Sequence, residues 1–122
     1  MTKTATHQQV LDYAIASNPG DFLRDAIREE AKGCNPDWVY STDAKADYIA
    51  SYEEACAMEA QTVAARDAFI GDARYGQIES EVTSATGFSV HYLIGAAFEQ
   101  EEASCRARQA WYLAALSLVL ED

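Results

Sequence analysis

The residues that usually carry catalytic or metal chemistry are scarce in this sequence. Its 122 residues include two histidines, His7 and His91, and three widely spaced cysteines, Cys34, Cys56 and Cys105. No two cysteines have the spacing of a zinc ribbon or a dithiol redox motif, and the six glycines form no phosphate-binding loop. We therefore expect free thiols, no metal site and no cofactor.

Paired catalytic groups are also missing from the pattern. No histidine follows a glutamate by three positions, the spacing found in di-iron helical bundles. Adjacent carboxylates on a helix point about 100° apart, so such pairs favour a solvated face over an acid–base couple. Examples of such pairs are Glu29-Glu30, Glu53-Glu54 and Glu101-Glu102. We predict that the protein is not an enzyme; the alternative is a site that combines His91 with a distant carboxylate.

Positive charge and long apolar runs are in short supply as well. Nine lysines and arginines face 20 aspartates and glutamates, which leaves a formal net charge of −11. Such a charge repels phosphates and argues against direct nucleic-acid binding, whereas a basic protein surface would attract it. No run is apolar enough to cross a bilayer, and residues 1–9 do not look like a signal peptide. We expect no membrane contact and, given unpaired cysteines, a cytoplasmic protein.

Apolar residues are plentiful, at 49% of the chain, and they recur at helical spacing. The pattern predicts helices over residues 7–17, 21–32, from 41 or 42 to about 70, 72–84 and 88–120, with 37–40 extended or in a turn. Thr6 and Asp21 are predicted N-caps, and Gly33 is a predicted C-cap. Residues 1–122 are thus predicted to form a single acidic all-α domain, a bundle of about five helices with the longer ones C-terminal.

Carboxylates and aromatic residues interleave between residues 37 and 59, where Lys45 is the only basic residue. Spacings of four and eleven place Asp43, Asp47 and Glu54 on one side of a helix. Aromatic rings beside charges are typical of protein interfaces, and an ordinary solvated helix face is the alternative. The predicted partner-binding residues are Asp37, Trp38, Tyr40, Asp43, Asp47, Tyr48, Glu53 and Glu54.

The stretch from Asp21 to Ala31 (DFLRDAIREEA), the proline turn after it, and Val39-Tyr40 to Tyr48 resemble the N-terminal half of Ocr-type phage antirestriction proteins. The resemblance covers about a third of the chain. It implies a small acidic helical mimic of DNA, and more broadly a phage anti-defence protein such as an anti-CRISPR. The chain departs from that family at its C-terminal end, where the residues before Glu121-Asp122 are apolar.

Two functions follow as hypotheses. The first is an inhibitor that binds and occludes a host nucleic-acid-binding defence complex, in the bacterial cytoplasm if the chain is phage-encoded. The second is a helical structural or adaptor protein that forms a homodimer through its apolar C-terminal helix. The residues predicted to carry that self-association are Phe98, Trp111, Tyr112 and Leu116.

Overall fold

The computed structural model describes residues 2–72, 74–87 and 90–120, with residues 90–94 described by their backbone alone. In these ranges the chain is an all-α bundle, as predicted, with one small two-stranded sheet. The helices are α1 (His7–Ser17), α2 (Asp21–Lys32), α3 (Lys45–Ile70), α4 (Tyr75–Thr86) and α5 (Val90–Leu120). The strands are β1 (Thr4–Thr6) and β2 (Val39–Ser41), and a 3₁₀ turn at Thr42–Ala44 precedes α3.

Local sequence signals set the ends of the first two helices. Thr6 caps α1 in a capping box: its Oγ1 accepts from the Gln9 backbone N at 3.1 Å, and the Gln9 side chain accepts from the Thr6 backbone N at 2.8 Å. The predicted cap at Asp21 is wrong by one residue. Gly20, with a φ of 100°, holds the cap position, because that conformation suits glycine and turns the chain into α2.

The two strands pair antiparallel, with Ala5 opposite Tyr40. Ala5 and Tyr40 point into the core, while their neighbours along each strand remain at least partly exposed. The sequence predicts the extended segment at 37–40 but not its pairing with residues 4–6. A three-residue strand offers too little alternation to be recognised.

The core lies where the second half of α5 packs against α1, α2 and α3. Small side chains on α5 allow the other helices to approach closely, and one large ring fills the centre. The fully buried large side chains are Trp111, Ile27, Val10 and Val119. The buried alanines of α5 are Ala103, Ala107, Ala110, Ala114 and Ala115.

Residues 63–72 and 74–87, here called the distal segment, carry no buried residue. Phe69, Ile70 and Ile78 are exposed there, and the ring of Phe69 packs edge-on against Tyr75 at 5.7 Å between centroids. Helix α4 ends at Thr86, two residues later than predicted, where Gly87 with a φ of 77° stops it. The core is therefore concentrated at one end of the bundle.

Candidate functional site

A turn after α2 brings Trp38 to the surface. The Trp38 backbone N donates to the Asn35 carbonyl at 3.1 Å, and the Asp37 backbone N donates to Asn35 Oδ1 at 2.9 Å. Pro36 suits the second position of such a turn because its φ is already fixed. The Trp38 side chain is 54% exposed as a result, which is unusual for the largest apolar residue.

Trp38 forms part of the wall of a groove of about 310 Å³, here called the tyrosine groove. Four of the predicted partner-binding residues meet in it, although they come from three different segments. The lining residues are Cys34, Asn35, Trp38, Tyr40, Ala44, Asp47, Tyr48, Ser51 and Tyr112. Sequence reasoning missed Cys34, Asn35, Ala44 and Ser51 as lining residues, and it assigned Tyr112 to self-association.

Tyrosine rings form the floor of this groove. The Tyr48 ring lies 5.5 Å from Tyr40 and 6.4 Å from Tyr112, measured between centroids. Tyr40 and Tyr48 were expected as exposed contact residues, and that expectation is wrong: they are only 5% and 6% exposed. Their hydroxyls find partners inside, since Tyr48 Oη accepts from the Ser41 backbone N at 3.0 Å and Tyr40 Oη accepts from Trp111 Nε1 at 2.7 Å.

The predicted carboxylates are all exposed, but they do not share one surface. Asp47 lines the groove, and Glu54 follows it on the same side of α3. Asp43 lies in the 3₁₀ turn and Asp37 in the turn before Trp38. Glu53 points about 100° away from Glu54 and so leaves that side of the helix.

Within the described ranges, none of these five carboxylates forms an ion pair. Six of the nine basic side chains pair with other acids, whereas Lys3, Arg24 and Lys45 form no ion pair within the described ranges. The pairs are Arg28–Asp25, Lys32–Glu29, Arg66–Asp67, Arg66–Glu102, Arg74–Asp72, Arg106–Glu59, Arg106–Glu102 and Arg108–Glu30. Most of the positive charge is thus paired elsewhere, and the one basic residue within this acidic stretch is the exposed Lys45.

The groove contains a thiol that is not activated. Burial, and then the nearby Glu30 carboxylate, raise the pKa of Cys34, while a hydrogen bond with Tyr40 and the Arg108 charge lower it. The Cys34 Sγ donates to the Glu30 carbonyl at 3.5 Å. A thiol held protonated in this way is a poor nucleophile, and the groove is better suited to binding than to covalent chemistry.

The described residues contain no group of three or more histidine, cysteine or acidic side chains placed to hold a metal ion. His7 is a core residue whose ring packs 5.0 Å from that of Trp111. The side chain of His91, the histidine of the enzyme alternative, lies outside the described residues. That alternative therefore gains no support here.

The residues predicted for self-association are used differently. Trp111 is 1% exposed and fills the core, so its assignment to a dimer surface is wrong. Tyr112 and Leu116 are half-buried and pack against the same core. Phe98, nearer the start of α5, is also half-buried. The amphipathic stripe of α5 faces its own bundle because α1, α2 and α3 surround it.

A second and larger groove of about 960 Å³ runs between α2 and α5. The exposed ring of Phe22 stands at its edge. Charges of both signs line it, and Lys32 and Arg28 are already paired with acids on their own helix. It thus differs from the tyrosine groove, in which the one charged lining residue is Asp47.

Comparisons with protein-family models, curated proteins and solved structures find no match to this chain. In the part of the chain that the structure describes, no helix is both long and apolar enough to cross a membrane.

Proposed function

We propose that this protein is a stoichiometric inhibitor. It binds a basic, nucleic-acid-binding surface of a host defence complex, of the antirestriction or anti-CRISPR type, and occludes that surface. The protein and the nucleic acid would then compete for the same lysines and arginines of the target. No catalytic step by the inhibitor is needed for such a mechanism.

One observation carries this proposal: within the described ranges Asp37, Asp43 and Asp47 form no ion pair, although six of the nine basic side chains pair with other acids. Unpaired exposed carboxylates are the groups that a basic partner neutralises on binding, and they steer the encounter from a distance. The net charge of −11 strengthens the same attraction. The exposed Trp38 beside them supplies the apolar contact area that an interface requires.

The proposal is tested first by capture. The tagged protein is immobilised, incubated with bacterial lysate and eluted with a salt gradient, and the eluted proteins are identified by mass spectrometry. We expect a nucleic-acid-binding partner that leaves at moderate salt, because exposed charge pairs are screened within about 10 Å at 0.1 M salt. The purified partner should lose its binding of labelled nucleic acid as the inhibitor approaches one equivalent.

Charge reversal then locates the surface. Asp43→Lys with Asp47→Lys should weaken the affinity for the captured partner roughly tenfold or more, since two attractive contacts become repulsive. The matched control is Asp12→Lys with Glu101→Lys, which changes the net charge equally at exposed acids outside both grooves. Equal weakening by both pairs would mean that the charge acts only through its total. If the capture experiment yields no partner that is eluted by salt, the proposal itself is wrong.

A further inference from the structure

The geometry points to the tyrosine groove as a socket for one arginine side chain of the partner. This inference rests on the proposed function, which supplies the basic partner. It goes further by naming the group that is recognised and the place where it binds. The socket has aromatic rings for its floor and one wall, and a carboxylate at its side.

The size of the groove favours a single side chain. At about 310 Å³ it lies at the lower limit of cavities that accept small-molecule ligands. Trp38 on its wall is exposed, so a side chain projecting from another surface can reach the groove. The larger groove along α2 and α5 would accept a longer segment, but its mixed charges select no particular occupant.

The charge of the groove favours a cation. Asp47 is its one charged lining residue, and within the described ranges no basic side chain pairs with that carboxylate. Asp37 and Asp43, on the two turns that flank the groove, add negative charge and are likewise unpaired. A cation that enters meets the Asp47 carboxylate and no lysine or arginine among the lining residues, although the Arg108 charge acts on Cys34 of the same groove.

The aromatic lining favours arginine over lysine. A guanidinium group is planar and weakly hydrated, so it stacks on aromatic rings and can bind a carboxylate through two N–H groups at once. A lysine ammonium is compact and strongly hydrated, and it loses more on leaving water. The exposed Trp38 and the half-buried Tyr112 offer rings within one groove, and Asp47 offers the carboxylate.

The test uses two hexapeptides of equal charge, hexa-arginine and hexa-lysine, titrated into the isotope-labelled full chain. In the nuclear magnetic resonance spectrum, the backbone amide signals of the groove residues Asn35 and Ser51 report the affinity in the native chain and in every variant. The two indole N–H signals report the location of binding in the native chain. Trp38 should move and Trp111, buried in the core, should not. Hexa-arginine should bind roughly two- to fivefold tighter than hexa-lysine, the ratio that one exposed cation–π contact provides.

Two variants locate the effect. Trp38→Leu and Asp47→Asn replace exposed residues, so both should fold, and each should remove the preference for arginine. Phe22→Leu, at the exposed ring of the other groove, is the matched control and should keep the preference. Chemical-shift dispersion equal to that of the native chain confirms that each variant is folded.

The outcomes separate the socket from the proposed function. If both peptides bind equally, or if Trp38→Leu keeps the preference, the socket is wrong, while salt-released capture of a nucleic-acid-binding partner would still support the inhibitor. If arginine is preferred at Trp38 but no such partner is captured, the socket stands as a cation site and the proposed function fails.

Discussion

Tyr40 connects the core to the tyrosine groove. Its ring is buried on strand β2, its hydroxyl accepts a hydrogen bond from Trp111 Nε1 at 2.7 Å, and it lies 5.5 Å from Tyr48 on the groove floor. Burial disfavours the charged phenolate and raises the pKa of Tyr40 to about 12. The state of this one side chain therefore affects both stability and the shape of the site.

Stability should fall at alkaline pH because of Tyr40. Its folded pKa lies above the value of the unfolded chain, so its contribution is complete below about pH 10 and is lost as the pH rises through 12. The loss amounts to roughly 2–3 kcal/mol. Urea unfolding at a series of pH values between 8 and 12.5, followed by circular dichroism, measures this loss of unfolding free energy.

Replacement of Tyr40 by phenylalanine separates the two effects of the hydroxyl. Tyr40→Phe should cost roughly 1–3 kcal/mol at neutral pH, because the buried Trp111 N–H loses its acceptor. The same variant should show a flatter decline above pH 10. Tyr13→Phe, at a more exposed tyrosine of α1, is the control and should change neither quantity. An unchanged decline in Tyr40→Phe would assign the alkaline transition to another group.

At the scale of the elements, Thr42 joins three segments of the chain. Its Oγ1 accepts from the Lys3 backbone N at 2.9 Å and donates to the Val119 carbonyl at 2.7 Å. The hydroxyl thus satisfies a carbonyl in the last turn of α5, where intrahelical donors are absent. It also holds the start of β1 beside the 3₁₀ turn.

Thr42→Val should therefore destabilise the protein by roughly 1–3 kcal/mol, since the isosteric side chain leaves a partly buried N–H and carbonyl without partners. Thr42→Ser keeps the hydroxyl and should lose less than half as much. Chemical denaturation of the two variants beside the native chain gives the comparison. A loss in Thr42→Ser with none in Thr42→Val, which keeps the methyl group, would show that this methyl group, rather than the hydrogen bonds, stabilises the junction.

Helix boundaries were predictable where proline or glycine interrupts the helical pattern. The predicted bounds of α1 and α2 match the structure because Pro19 and Gly20 separate them and Gly33 ends α2. The pairing of β1 with β2 was not predictable, since it joins residues about 35 positions apart through a single buried pair, Ala5 and Tyr40. Non-local pairing of this kind leaves too small a pattern in the sequence.

The site was predictable only where it depends on local sequence, and not where it depends on contacts between distant segments. Composition identified the acidic and aromatic stretch, and four of its residues do line one groove. The burial of Tyr40 and Tyr48 was missed because their neighbours, Trp111 and Tyr112, come from the other end of the chain. The absence of ion pairs was equally hidden, since pairs such as Arg108–Glu30 depend on packing between helices.

At the scale of the whole molecule, charge and packing are unevenly distributed. The packed core occupies one end, beside the tyrosine groove, while the distal segment contributes no buried residue among those described. The groove therefore lies beside the packed core of the bundle. A binding site on a packed scaffold loses little conformational entropy when a partner arrives.

The alternative of a homodimer can be tested by measuring the molecular mass in solution. We expect sedimentation equilibrium at micromolar concentration to give the mass of a single chain, because Trp111 is buried and copies with a net charge of −11 repel each other. Measurements at low and high salt separate repulsion from lack of affinity. A dimer at both salts, disrupted by Leu113→Lys at an exposed position of α5, would support the self-associating adaptor instead.

The placement of the core on α5 has a consequence for how the protein is made. Trp111, Ala115 and Val119 are among its most buried residues, and they are synthesised after nearly all of the surfaces that they cover. The hydrogen bonds Trp111–Tyr40 and Thr42–Val119 close loops of 71 and 77 residues.

While the ribosome still encloses the second half of α5, the helices α1 and α2 and the rings of Tyr40 and Tyr48 have no core to pack against. Folding must therefore wait until translation of α5 is finished. Premature termination anywhere before α5 is complete would therefore yield an exposed apolar chain and a target for proteases rather than a shortened folded protein.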